Sequence, residues 1–415
     1  MVTKAHSAVS SVECWLVKAL RVVLVMIEPP LPFGNAAGRW FYVLLRGLQE
    51  RGHRVTAFAT CSRPAEVAEA RALFSAPEFD LRCHAHPQRH GLQAKSETVR
   101  RPYSFMFSAA LRHDLQTELS RGVDILHLEQ IWSGWLGLGL TASAVVNVHH
   151  LYEVDLSGRP RESLRARFHR QVACRAQRWL LRRYPTITTL SPELSALVRR
   201  INPGARVTTV PLGLDSSLYP FGERARQSAP PTISLIGSFN WQPTYSAAVR
   251  VLTRLWPEIK RRVPAARCRM VGRDAVVALQ AFRGLPDVEL HENVPDAMPF
   301  FREADVLLYP PAVGSGMKVK VLEAFALGVP VVTTRAGVEG LPAIDGVHAG
   351  VCEDDRGLIE RAVGLLTDNA RGERQRTAAR ALVELHCSPR AALDALEGVY
   401  GEVHGLRQRP TRLRA

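Results

Sequence analysis

The chain has 415 residues, too many for one ordinary hydrophobic core, so two α/β units are expected. Its 46% hydrophobic and 22% charged residues exclude a disordered chain. The formal net charge of +15 favours anionic partners such as phosphorylated substrates, lipid headgroups or nucleic acid.

Residues 1–20 read as an N-terminal extension whose one apolar patch, Cys14–Val17, is too short for a signal segment. The first strand is expected over Val22–Ile27, followed by a loop with Gly34 and Gly38 and a helix over Gly38–Arg51. Both glycines would let that loop approach ligands at the cleft floor. Arg39 reads as an exposed helix-start arginine, with phosphate contact as the alternative. Further strands are expected at Val55–Ala59, Ile125–Leu128, Ala144–Val148, Ile187–Leu190 and Val207–Val210. The apolar stretch from Gly134 to Val148 is short and glycine-bearing, so it reads as a helix and a buried strand rather than a membrane span. His127-Leu128-Glu129 is expected to face the cleft at one strand end, with His127 toward the acceptor; His149 and His150 close another, His150 also on the acceptor side, and Glu153 and Asp155 follow soon after. Arg159–Arg183 is a basic amphipathic pattern carrying Leu164, Phe168, Val172, Trp179 and Leu180. It suits either an anionic membrane surface or a solvated helix face.

Leu212–Pro230 has no periodic apolar face and reads as a linker. The expected partition is 1–20, 21–212, 213–230, 231–388, and a C-terminal helix with a basic tail over 389–415. Past the linker, strands are expected at Ile233–Ile236, Cys268–Val271, Val288–Leu290, Val306–Tyr309 and Val329–Thr333. Helices fall at Thr244–Val263, Lys318–Leu327 and Arg356–Thr367, the last capped by the Asp354–Asp355 pair. Such alternation implies two doubly wound parallel sheets with a cleft at their carboxyl ends. The seven cysteines contain no Cys-x-x-Cys pair, which argues for a reducing compartment and against a zinc site.

The most informative stretch is VLLYPPAVGSGMKVKVLEAFALGVPVVTTRAGVEGL, Val306–Leu341. A buried strand, an irregular Gly314–Ser315–Gly316 loop and a helix start form an anion site, because backbone donors and the helix dipole point the same way. Lys318 and Lys320 place positive charge where the helix alone disfavours it, and a bound anion would relieve that penalty. Glu323 lies one turn in. Upstream, Gly237 permits close backbone approach at the first strand end of this half. Trp241 reads either as core packing or as a ligand contact, and Arg273 as a phosphate ligand or a surface arginine.

These residues resemble the donor-binding core of GT-B glycosyltransferases, specifically the retaining glycosyltransferase family 4. The resemblance runs from Val22 to Val403 and is strongest over Gly237–Leu341. It implies two Rossmann-like domains, with the acceptor on the side of residues 21–212 and the nucleotide-sugar in 231–388. Lys318 and Lys320 would hold the donor diphosphate, Glu323 the ribose, and His149, or alternatively His150, would lie near the reacting sugar. Ser315 stands where the family usually carries a second glutamate that contacts the donor sugar. The amides of Gly316 and Met317 are the candidates to replace that contact. Gly337 and Gly340 flank Glu339 in a loop shared by one branch of the family.

The resemblance implies transfer of a sugar from a UDP- or GDP-sugar to a glycan, lipid-linked or small-molecule hydroxyl, with retention and with no cofactor or metal. The enzyme is expected in the cytoplasm, either soluble or peripheral on the inner face of the membrane, without nucleic-acid partners. The rival readings are a GT-B sugar-nucleotide epimerase and a non-catalytic partner subunit.

Overall fold

A computed structural model describes residues 19–34, 36–88, 91–157, 163–222 and 230–408. Most of the expected extension, residues 159–162 of the basic stretch, 223–229 of the linker and the tail beyond Gln408 lie outside them.

The N-terminal half builds one parallel sheet from β1 (Arg21–Met26), β2 (Arg54–Cys61), β3 (Asp80–Ala85), β4 (Ile125–Glu129), β5 (Ala144–Val148), β6 (Thr186–Thr189) and β7 (Arg206–Thr209). Its strand order is β3-β2-β1-β4-β5-β6-β7. The C-terminal half builds a second parallel sheet from β8 (Thr232–Ile236), β9 (Arg267–Gly272), β10 (Val288–Glu292), β11 (Val306–Tyr309), β12 (Val331–Thr333) and β13 (Gly350–Val351). That order is β10-β9-β8-β11-β12-β13. In both parallel sheets the strand order reverses beside the first strand, between β1 and β4 and between β8 and β11. Ligands of doubly wound folds bind outside the strand ends at such points.

The helices that shape the cleft are α1 (Ala36–Glu50), α2 (Leu164–Leu181), α3 (Pro192–Ile201), α4 (Gln242–Arg250), α5 (Val319–Leu327), α6 (Asn369–His386) and α7 (Pro389–Gln408). The β1 sequence explains why helices cover both faces. Val22, Leu24 and Met26 join the core beneath α1 and α7, whereas Val23 and Val25 join the core that contains Trp132 and Leu180. The last helix, α7, returns to the first half, where Leu393 fills the space above Gly47 and Arg51 pairs with Glu397 and Asp394.

Three expectations change. β3 was not anticipated, because its Asp80, Arg82 and His84 break the apolar pattern at a half-buried sheet edge. The stretch before β5 contains the 3₁₀ turns Ile131–Leu136 and Thr141–Ser143 rather than an α-helix. A Cβ on Gly137 there would meet Leu128 Cδ1 at 2.5 Å and Tyr184 Oη at 2.9 Å, so close packing selects the glycine. The long helix expected over Thr244–Val263 is interrupted by a π turn, Val251–Leu255, just before Trp256–Pro257. Proline has no N–H to continue the α ladder, and a wider turn absorbs the loss.

Candidate active site

Two buried lysines gather where β8, β11 and α5 converge. β8 delivers Gly237 with φ +154, and a Cβ there would lie 2.5 Å from Lys320 Nζ, so only glycine lets the lysine lie under the backbone. Lys320 Nζ donates to Thr244 Oγ1 at 2.7 Å and lies 4.2 Å from the centroid of the Tyr309 ring. Burial, with Lys318 nearby, pulls the Lys320 pKa down to about 7. Lys318 caps α5; burial lowers its pKa too, against the pull of Glu339 and Asp155.

The loop before α5 is pinned by carboxylates. Ser315 N donates to Asp155 Oδ1 at 2.6 Å, and Ser315 Oγ donates to the same oxygen at 2.8 Å while accepting from Leu151 N at 2.7 Å. Gly316 N donates to Glu339 Oε1 at 2.8 Å, which also accepts from Ser191 Oγ at 2.7 Å. Burial pushes the Asp155 carboxyl up to about 6 and raises that of Glu339. The amide of Gly316, expected to face the donor sugar, is therefore engaged by the protein's own carboxylate. Met317 is buried near Gly340.

The loop is also pressed against the other half. Gly316 has φ +72, and a Cβ on it would come within 1.8 Å of His149 O. Gly340 is equally tight, since its Cβ would approach Leu190 O at 2.9 Å. Gly314 packs beside the Lys318 stem. Trp241 does not enter its own core. It meets the His150 ring at 5.2 Å and the Tyr152 ring at 5.9 Å, joining the two halves.

Glu323 is buried and accepts from Tyr219 Oη at 3.0 Å. It also pairs with Arg39, which reaches across from α1. The reading of Arg39 as an exposed arginine is thus corrected, because its side chain is only 16% exposed. The reason is tertiary, since the pairing needs the two halves face to face.

On the opposite wall, Glu129 closes β4 with no exposed surface. It accepts from Trp40 Nε1 at 2.9 Å and from Asn147 Nδ2 at 3.1 Å, and contacts His127 Nε2 at 3.0 Å and His149 Nε2 at 2.7 Å. Burial alone would raise this carboxyl, but the bonds from His127 and His149 outweigh it and hold it well below the usual range. The β4–β5 register sets Asn147 beside Glu129, and His149 follows on the same side. The sequence placed His127 toward the acceptor, and the structure corrects that. His127 is fully buried, with Nδ1 2.5 Å from Tyr400 Oη of α7, and it reaches the cleft only through Glu129. His150 is held neutral, its pKa pushed down to about 3 by burial and by His149 and Lys318. Tyr219 was absent from the sequence-based candidates, and Glu129, Asp155 and Glu339 were noted there only by position, without these partners. The available signal for Glu129 was an acid ending an otherwise apolar strand next to another strand that ends in histidines.

Gly34 sits exposed at φ +80, while Gly38 is buried against Pro29 O. Arg273 was a candidate for the phosphate cluster; its backbone carbonyl accepts from Phe239 N at 2.9 Å. Its side chain lines a cavity of about 360 Å³ beside Glu28 and Arg63. Among the described residues, no cluster of three or more His, Cys, Asp or Glu side chains could hold a metal ion.

Two facing Rossmann-like sheets with a basic pole on one side and a histidine–carboxylate cage on the other define a GT-B glycosyltransferase. Comparison with known proteins gives the family. A model for glycosyl transferases group 1 matches residues 230–368, and one for glycosyltransferase family 4 matches residues 37–218. The chain belongs to the group 1 glycosyltransferases. No curated protein matches. Among solved structures, sucrose-phosphate synthase from Thermosynechococcus elongatus superposes with a TM-score of 0.71 at 15% identity, over 93% of this chain and 100% of that one. Anabaena HepE in complex with UDP and glucose gives 0.66 at 12% identity, over 92% and 100%. WaaG, a glycosyltransferase of lipopolysaccharide biosynthesis, gives 0.61 at 17% identity, over 91% and 100%.

Proposed function

We propose that this glycosyltransferase moves a sugar from a nucleoside-diphosphate sugar, a UDP- or GDP-sugar, to a hydroxyl of a glycan, lipid-linked or small-molecule acceptor. In this reading configuration is retained and no metal or cofactor takes part. The observation that carries it is Lys320. A lysine at the first turn of α5 lies under a glycine backbone with a hydroxyl and an aromatic ring as its neighbours, and burial lowers its pKa to about 7. Buried cations need an anionic counterpart, and a diphosphate at a helix N-terminus supplies it. The UDP complex of HepE supports the donor class.

In the reaction, the bond from the anomeric carbon to the diphosphate breaks, the acceptor oxygen bonds to that carbon, and the acceptor proton passes to the departing phosphate. Charge growing on the leaving group falls on Lys318, Lys320 and the helix start, where preorganised donors contribute most. Glu323 takes the ribose hydroxyls after exchanging its contact with Arg39. His149, oriented by Glu129, stands at the reacting end, with His150 as its neutral neighbour. Gly237, Trp241, Gly314, Ser315, Gly316 and Met317 shape the donor side, and Gly34 and Gly38 the acceptor side.

We also assign the face of α2 as a contact for an anionic membrane, which would hold the enzyme at the inner surface. Support comes from Leu164, Phe168 and Trp179, which are 83%, 50% and 40% exposed among arginines. No helix among the described residues is long and apolar enough to cross a membrane.

The deciding experiment is a thermal-shift screen against UDP, GDP, ADP and dTDP and their sugar conjugates, with and without EDTA. One base should raise the melting temperature with no dependence on metal. A flat response, repeated by calorimetry, would transfer the reading to a non-catalytic partner subunit.

A further inference from the structure

The hydrogen bonds around Glu129 do not stop at the cleft wall. They continue through β4 to Tyr400 of α7, the helix that returns to the first half at the end of the fold. Donor and acceptor roles along this line follow from one another. Despite complete burial, the Glu129 carboxyl is held ionised by its bonds from His127 and His149, and an ionised carboxylate only accepts. Trp40 Nε1, Asn147 Nδ2, His127 Nε2 and His149 Nε2 therefore all donate to it. A neutral imidazole that donates at Nε2 accepts at Nδ1, and the group facing His127 Nδ1 is the Tyr400 hydroxyl, 2.5 Å away. Burial pushes the Tyr400 phenol well above its ordinary range, so it keeps its proton. Neither ring has exposed surface, and among the described residues the phenol oxygen has no other partner. Protonating His127 would turn this bond round and leave the phenol hydrogen buried and unpaired, which is costly. His127 is thus held as the neutral Nε2–H form. The backbone fixes the carboxylate as well. Gln130, the next residue, has φ +61 and ψ +149, a strained combination for a residue with a Cβ, and its carbonyl accepts from Ser133 N and Oγ.

We propose that Tyr400 is a positioning residue for sugar transfer: by keeping His127 neutral it reserves the negative charge of Glu129 for His149, the histidine at the reacting end. The assignment rests on the glycosyl-transfer reading above. Tyr400 touches no substrate and acts through two intervening side chains. Without its hydroxyl, His127 can take a second proton, the cation pairs with Glu129, and His149 holds its own proton less readily. Other ionisable groups face this line from the elements packed on it. His150 adjoins His149 and feels the charge of Lys318. Behind Tyr400 lies Glu397, held by Arg51 and by His53, whose ring centroid is 6.4 Å from that of the phenol. Among the described residues none of these bonds to His127, so its charge answers to Tyr400.

The test combines nitrogen NMR of histidine-labelled protein with the pH profile of kcat, the signals being assigned by their loss in His127→Asn and His149→Asn. In the wild type, His127 should remain the neutral Nε2–H form from about pH 5 to about pH 8, where free imidazole titrates. In Tyr400→Phe it should titrate within that range, and the midpoint of His149 should fall by about half a pH unit or more. The kcat profile, measured with the nucleotide-sugar found by thermal shift, should move to lower pH with it, while donor KM changes less than about twofold. In a His127→Asn background, where no proton can be taken, adding Tyr400→Phe should move neither. If Tyr400→Phe does not fold, the wild-type NMR decides, since an imidazolium or Nδ1–H form of His127 overturns the proposal. It is also overturned if His149 and the kcat profile are unmoved in Tyr400→Phe, or if they move equally in the His127→Asn background. Failure of the nucleotide-sugar reading looks different, because then nucleotides give no thermal shift while the His127 form and its change in Tyr400→Phe persist.

Discussion

Lys320 is the residue on which the proposed donor site turns. Its pKa is pulled down to about 7 by burial first and by Lys318 second, so in the free protein near neutral pH it is only partly charged. The folded protein binds fewer protons here than the unfolded chain. This contribution to stability is full above about 10.5, where unfolded lysine titrates, and is lost as pH falls through about 7. A bound diphosphate reverses the balance by favouring the charged form. At pH 8, calorimetric titration of the nucleoside diphosphate in buffers of different ionisation heat should register uptake of roughly one proton. Lys320→Met should abolish that uptake and weaken binding by about 2 kcal/mol or more, the scale of a charge-assisted contact. Uptake unchanged in the variant would place the phosphate elsewhere. Sequence pattern singled out this lysine and Gly237 separately, but it could not show that Gly237, Thr244 and Tyr309 enclose the lysine, because Gly237 and Thr244 lie more than seventy residues upstream. Glu129 was placed at the cleft by its strand end, but its role was hidden for a related reason, since it comes from four partners gathered from α1, β4, β5 and the strand end beyond.

At the level of elements, α2 divides cleanly. By the helical repeat of about 100° per residue, Leu164, Phe168 and Trp179 fall within about 60° of one another. Ala173, Ala176, Gln177, Leu180 and Leu181 are buried on the other side. The exposed stripe is not part of the protein's core. Trp179 stacks on Trp135 at 5.6 Å beneath Arg183, which holds the indole at the surface rather than inside. Wild-type protein should float with vesicles rich in anionic lipid and remain behind with neutral ones. The double change Phe168→Ser and Trp179→Ser should reduce flotation tenfold while leaving nucleotide thermal shifts intact. Equal flotation of both proteins, or none by either, would remove the membrane from the proposal.

For the whole molecule, the question is how the halves meet. Gly316 against His149 O, Gly340 against Leu190 O, Asp155 on Ser315 and Glu339 on Ser191 join residues far apart in sequence. Closure of this kind excludes water from the reacting centre. Gly316→Ala places a methyl group where only 1.8 Å separates it from His149 O, at a φ of +72 that alanine resists. Turnover should fall at least tenfold, while nucleotide affinity, which depends on the C-terminal half, changes less than threefold. Comparable losses in both would assign Gly316 to donor binding rather than to closure.

The sequence by itself determined the two sheets and the place of the paired lysines at the start of α5. Buried parallel strands read as continuous apolar runs such as VVLVM, and a glycine-rich loop, helix start and lysines within a few residues are a local arrangement. Those signals survive without knowledge of neighbours. Tertiary structure alone decided that Arg39 pairs with Glu323, that His127 is sealed beneath Tyr400, that Ser315 receives a carboxylate from Asp155, and that Arg273 walls a separate cavity. Each of these depends on which groups the fold brings within hydrogen-bond reach and how deeply it buries them. Burial sets the cost of a charge and proximity sets its compensation, and neither is encoded in the identity of a residue or its immediate neighbours.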